Sequence, residues 1–206
     1  MVQPYFKMKR TLLFLLLGSL IACQQTPKKS TAPEATGVQV DTLINDDYVF
    51  LEIDKFSNGQ FQLKWGDHSF LNTTPDTLEA SAHPDLKWYN EEMICLEGAC
   101  GNKCSFAYIL PLQENALPRQ YLYPVTYLPD DNLILYSTNI IKDKNLATVE
   151  SLDNGKKMDI RVKYFPGTPP FEAIDSAAFE SRKLLYLRWK HVTGKKVVRI
   201  FNIRLK

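Results

Sequence analysis

From Val38 onward, apolar and polar residues alternate in short runs divided by turn residues. Val49, Leu51 and Ile53 lead through Ser57-Asn58-Gly59 into Phe61, Leu63 and Trp65. Ala147, Val149 and Leu152 lead through Asp153-Asn154-Gly155 into Met158, Ile160 and Val162. Leu185, Leu187 and Trp189 lead through Thr193-Gly194-Lys195 into Val197, Val198, Ile200, Phe201 and Ile203. A period of two puts alternate side chains on one face of a strand, so each pair of runs predicts a half-buried antiparallel hairpin. Asn and Gly at the joints accept the positive φ angles that tight turns require. No stretch of comparable length holds a helical period, and Phe171 to Phe179 has room for one or two turns at most.

A weaker repeat runs beneath the hairpins. Leu86-Lys87-Trp88-Tyr89 passes through Asn90-Glu91-Glu92 into Met93-Ile94-Cys95-Leu96, and Pro124-Val125-Thr126-Tyr127 passes through Pro129-Asp130-Asp131-Asn132 into Leu133-Ile134-Leu135-Tyr136. Ile174 to Phe179 passes through Glu180-Ser181-Arg182 into Leu184-Leu185-Tyr186-Leu187. The units recur 40 residues apart from Ile94 to Ile134 and 51 apart from Ile134 to Leu185. Those periods, with an aromatic closing one strand, resemble β-propeller blades. At that length the chain holds three or four, the lower limit for a closed propeller. The expected fold is a single antiparallel all-β domain over residues 38–206. Its hairpins form either blade-like, propeller-like repeats or a two-sheet sandwich.

The first residues follow another logic. Lys7, Lys9 and Arg10 precede an apolar core from Leu12 to Leu17, and Gly18-Ser19-Leu20-Ile21-Ala22 leads into Cys23. This is the order of a secretory signal, and a transmembrane span would need roughly 20 apolar residues. Leu20-Ile21-Ala22-Cys23 resembles the lipobox of bacterial prolipoproteins. The resemblance implies cleavage of residues 1–22, with lipid attached at Cys23 through its thiol and acylation of the new amino group. Residues 23–37 then form a lipidated tether. Its sequence after the cysteine, QQTPKKSTAPEATG, has no large apolar residue and cannot bury enough surface to fold. Gln24 in place of an Asp favours the outer membrane, and no acidic run hints at export to the cell surface, so the expected location is its periplasmic face.

Charge matters through its distribution. Removing the three basic residues of the signal from 25 Lys and Arg leaves 22 against 23 acids, a net of −1. From Arg182 to Lys206 there is no acid, and the stretch carries +9, which leaves −10 for the mature chain before it. Arg188 and Lys190 alternate with Leu187 and Trp189 and therefore share the face away from the core. They form a candidate face for an anionic envelope polymer or an acidic partner. The competing expectation is that the basic hairpin packs its charges against the acidic remainder of its own domain.

Candidate chemistry is sparse. Cys95, Cys100 and Cys104 lie on a strand–turn–strand segment, and outside the cytoplasm cysteines tend to pair. Cys100–Cys104 would close a small loop at Gly101-Asn102-Lys103, leaving Cys95 a buried thiol; Cys95–Cys104 across the hairpin is the alternative. Redox chemistry needs a low-pKa thiolate, usually in Cys-x-x-Cys at a helix start, and the spacing here is one residue longer. His68, His83 and His191 stand in no paired or HExxH spacing, and Asp67 beside His68 points elsewhere on an extended chain. Asp46-Asp47 and Asp130-Asp131-Asn132 read as turns rather than calcium ligands, because Asp and Asn close turns through local hydrogen bonds. No catalytic residue, metal or cofactor is predicted, and nucleic acid is not an expected partner. The expectation is a non-enzymatic envelope lipoprotein that binds an envelope protein or polymer. An envelope hydrolase whose carboxylates are gathered by the fold, and a thiol redox or metal accessory protein, are the alternatives.

Overall fold

Each Asn-Gly or Gly-bearing joint turns the chain back on itself. In the computed structural model, which describes residues 38–206 except Asp47, residues 80–82 and residues 142–144, β2 (Phe50–Lys55) returns as β3 (Gln60–Gly66). Gly59 supplies a φ of 82° at that turn, and the Asn58 side chain accepts the Gln60 N–H at 3.0 Å. β1 (Gln39–Asn45) pairs with β2, while the short β4 (Leu71–Thr73) and β5 (Leu78–Glu79) pair with β3. The second sheet runs β6 (Asp85–Tyr89), β7 (Met93–Gly101), β8 (Cys104–Pro111), β9 (Arg119–Leu122). The third runs β10 (Pro124–Leu128), β11 (Leu133–Tyr136), β12 (Asn145–Ser151), β13 (Lys157–Arg161). The fourth is β14 (Ile174–Ser181), β15 (Leu184–Lys190), β16 (Lys196–Asn202). The expected helical stretch yields one turn, α1 (Pro170–Ala173), before the chain extends into β14.

The domain is therefore all-β and antiparallel. Its strands fall into four consecutive sheets, as the blade-like alternative requires, rather than into the two facing sheets of a sandwich. No sheet closes into a barrel among the described residues. The three repeat units are β6–β7, β10–β11 and β14–β15, the opening strands of the second, third and fourth sheets.

The sheets stack because their middle strands are apolar on both faces. Ile94 and Leu96 point with Phe106, Tyr108 and Leu110 into a core shared with Leu51, Ile53, Phe61, Leu63 and Trp65 of the first sheet. Met93 and Cys95 point the opposite way, with Ala107, Ile109 and Tyr121, against Ile134 and Leu152 of the third sheet. Leu135, Ala147, Val149 and Ile160 then meet Leu185, Leu187 and Trp189 of the fourth. A strand covered on both sides reads as a continuous apolar run, which is why Met93-Ile94-Cys95-Leu96 shows no alternation.

Turn side chains stitch the stack along one rim. Tyr89 donates to the Asp46 carboxylate of the first sheet at 3.2 Å. Asn90 donates to the Pro129 carbonyl at 2.9 Å and to Asn132 at 3.0 Å, and Asn132 donates to Glu92, joining the second and third sheets. Arg182 of the fourth sheet reaches Asp131 of the third at 3.8 Å. The polar turn of each repeat thus carries the link to its neighbour.

Candidate functional site

The β7–β8 hairpin carries a disulfide at its turn. Gly101 and Lys103 adopt φ of 128° and 58°, and Cys100 and Cys104 are bonded with their Cα atoms 5.0 Å apart. Cys95 is buried and free. Burial, the largest influence, pushes its thiol up to about 12, so it stays protonated at neutral pH and is a poor nucleophile. The three histidines are scattered. His83 meets Phe61 edge-on at 5.7 Å, His191 lies 3.3 Å from Thr193 Oγ1, and His68 is exposed. Among the described residues no group of three or more His, Cys, Asp or Glu converges as metal ligands would.

The basic hairpin spends much of its charge inside its own domain. Arg188 and Lys196 both pair with Asp175 at the start of β14, and Arg182 pairs with Asp131. Lys190 sits over the Phe165 ring at 4.0 Å. Arg188 stands on the outer face of the fourth sheet, opposite Val198, while Tyr186 stands opposite Ile200. The Lys196 ammonium first, then the Arg188 guanidinium, hold the Asp175 carboxyl below the usual carboxylate range. That contribution is present above the unfolded pKa of about 4 and is lost as pH falls through the lowered folded value. Reversing Arg188 and Lys190 to Glu sets a like charge beside Asp175. The expected result is a clear fall in melting temperature, read by calorimetry. An unchanged melting temperature would mean that the pairing contributes nothing.

Grooves open where the first two sheets meet at the stitched rim. One, of about 470 Å³, is lined by Asp46, Tyr48, Val49, Asp67, Tyr89, Asn90, Glu91 and Leu112. A second, of about 260 Å³, shares Asp46, Tyr48, Val49 and Asp67 and extends to Glu52 and His68. Asp46 accepts the backbone N–H groups of Tyr48 and Val49 at 2.9 and 2.6 Å, and Asp67 accepts those of Ser69 and Phe70 at 2.6 and 3.3 Å. Those backbone donors at Tyr48 and Val49, with the Tyr89 hydroxyl, hold the Asp46 carboxyl below its ordinary value. The same turn geometry leaves Tyr48 81% exposed, its ring standing at the groove edge beside the 46% exposed Tyr89. Asp67 keeps its second oxygen free of hydrogen bonds among the described residues, as Glu91 keeps both of its own. Between them the two grooves are lined by four carboxylates (Asp46, Glu52, Asp67 and Glu91) and the Tyr48 and Tyr89 rings, with His68 the sole basic side chain among the described residues of either lining.

A second polar cluster lies between the second and third sheets. Glu150, 5% exposed, accepts from Tyr121 at 2.9 Å and Tyr136 at 3.1 Å, and pairs with Lys157 at 3.1 Å. Burial, then the neighbouring Glu150 charge, raises both tyrosines well above their usual range. A carboxylate held by three donors is an anchor for its neighbours rather than a proton carrier.

Of the residues singled out in the sequence, Asp46, Asp67 and His68 meet in the lining of the smaller groove, while the basic and cysteine candidates lie apart. Arg188 and Lys190 lie on the fourth sheet, the cysteines on the β7–β8 hairpin, and the grooves belong to Asp46, Tyr48, Asp67, Tyr89 and Glu91. Asp46 and Asp67 appear in the sequence as turn formers, which they are. Nothing in the linear pattern joins Asp46 to Tyr89, 43 residues on, or Asp67 to Glu91, 24 residues on. Cys23 and the tether fall outside the described residues. No protein-family model matches the chain, and no curated protein or solved structure shows significant similarity to it.

Proposed function

We propose that this chain is an envelope lipoprotein, anchored through Cys23 at the periplasmic face of the outer membrane, whose β domain is a non-enzymatic binding module for a cationic polypeptide segment. The observation that carries the binding reading is the rim groove, where exposed Tyr48 and Tyr89 rings border the free carboxylate oxygens of Asp67 and Glu91. Ammonium and guanidinium groups are attracted both to aromatic faces and to carboxylates, so Lys and Arg side chains on an extended chain match that lining. The groove carboxylates support binding over catalysis. Asp46 is tied to two backbone donors and a tyrosine, which fixes its charge in the lining.

The lipobox carries the anchoring half. Cys23→Ser is expected to leave an unprocessed precursor without a lipid adduct, seen as a higher mass and a changed membrane fraction. Normal maturation of that variant would contradict the assignment. The binding half is tested by titrating the chain with a Lys-rich peptide against a Tyr48→Ala/Asp67→Asn variant.

A further inference from the structure

We infer that β16 is a docking edge for an extended acidic segment of another protein, which pairs with it antiparallel as an added strand of the fourth sheet. This edge is separate from the rim groove of the first two sheets, and the inference stands without that reading.

Open strand edges invite pairing with other chains, and folded proteins blunt them with bulges, Pro, short length or charge. Most edges of this domain are blunted by their backbone. The pairings of β1, β6, β10, β13 and β14 each carry a register shift, and β10 also opens on Pro124. β4, β5 and β9 run for only two to four residues. β16 differs, because it pairs with β15 at seven consecutive positions, Lys196 to Asn202, without a shift. Among the described residues no strand lies along its other side.

The backbone groups of that side can be assigned. His191 N–H donates to the Lys195 carbonyl and Ile203 N–H to the Lys183 carbonyl, both at 2.8 Å. Bonded residues alternate in an antiparallel ladder, so Val197, Arg199 and Phe201 spend their backbone groups on β15. Val198 and Ile200 turn theirs to the open edge, and their side chains are 53% and 52% exposed. The run Val197-Val198-Arg199-Ile200-Phe201 is thus apolar on both faces while only the core-side face is covered.

Charge selects the partner. No acid occurs from Arg182 to Lys206. Asp175 answers Lys196, whereas Lys195 and Arg199 pair with no carboxylate among the described residues, and Arg199 stands over the Phe201 ring at 5.6 Å. A second copy of β16 would set these cations against their own kind, which destabilises a strand pair. A segment alternating acidic with apolar residues places its acids beside Arg199 on the core-side face and its apolar groups beside Val198 and Ile200 on the outer face.

The test follows the backbone amides of β16 by NMR as the full chain in detergent is titrated with acetyl-Val-Glu-Val-Glu-Val-Glu amide. One control peptide carries Lys in place of Glu. The other is N-methylated at its valines, which blocks the groups that would bond β16 and keeps the charge. The acid peptide is expected to shift the Val198 and Ile200 amides saturably and to bind at least about 10-fold more tightly than either control. Ile200→Pro removes one N–H of the open edge, a position where a strand accepts proline; Arg199→Gln removes the cation. Each should weaken the acid peptide by about 5- to 30-fold with a melting temperature near that of wild type. Equal binding of the methylated peptide would leave charge alone at work and overturn strand pairing. Preference for the Lys peptide, or no binding of any, would overturn the proposal, and self-association of wild type that Ile200→Pro abolishes would assign the edge to a second copy instead. Should Ile200→Pro melt early, Arg199→Gln and the methylated peptide on wild type still decide the matter.

Discussion

Trp65→Ala is expected to cost about 3–5 kcal/mol, the range for emptying a large aromatic site in a core. Trp65 is fully buried in the first core, and its indole N–H donates to the Pro111 carbonyl at 2.9 Å. It therefore fills space between the first two sheets and also bonds across them. Domains of this kind carry about 5–15 kcal/mol in all, so the variant gives up a large share of the total. Trp65→Phe keeps most of the volume and gives up the hydrogen bond, and should lose about 1–3 kcal/mol, chiefly for the unpaired carbonyl. Urea unfolding measures both, and a loss below about 1 kcal/mol for the alanine variant would contradict the packing described.

The second large effect lies between the second and third sheets. Glu150→Ala strands the Tyr121 hydroxyl in the core, removes the partner of Tyr136, and leaves a cavity, for an expected loss of about 2–4 kcal/mol. Lys157 is half-exposed and regains water, so it adds little. Because the penalty comes from orphaned donors, Glu150→Leu combined with Tyr121→Phe and Tyr136→Phe should recover most of it, as apolar replacement of buried polar groups often does. Equilibrium unfolding of the single and triple variants decides the matter. Equal losses in the two would mean that orphaned donors are not what costs the stability.

Local features of the fold were legible because their causes are local. Asn58-Gly59, Asn154-Gly155 and Thr193-Gly194 each supply a turn with a glycine at positive φ, and the loop of three residues between Cys100 and Cys104 lets their Cα atoms approach within disulfide range. The repeat units were also visible, since each is a strand, polar turn and strand. The equivalent β1–β2 unit of the first sheet was harder to see, and the two- and three-residue β5 and β4 are too short to show a period.

The grooves were not legible. Asp46 and Tyr89 meet only because two sheets stack, and nothing in the spacing of 43 residues encodes that contact. One signal was present and unused: Glu150 in the apolar strand Leu146-Ala147-Thr148-Val149-Glu150. A carboxylate at a buried strand position implies donors brought by the fold, here Tyr121, Tyr136 and Lys157.

The central claim, a rim groove that binds a cationic segment, is tested most directly by calorimetric titration of the full chain in detergent with a Lys-rich peptide. Wild type should bind, and affinity should fall as salt rises, because exposed charges are screened over about 8 Å at physiological ionic strength. Tyr48→Ala with Asp67→Asn removes one cation–aromatic contact and one charge pair. Together these are expected to weaken binding by about 1–2 kcal/mol, roughly 5- to 30-fold, while Arg188→Gln on the far sheet leaves it unchanged. No binding by wild type, or equal affinity in wild type and the groove variant, would contradict the account.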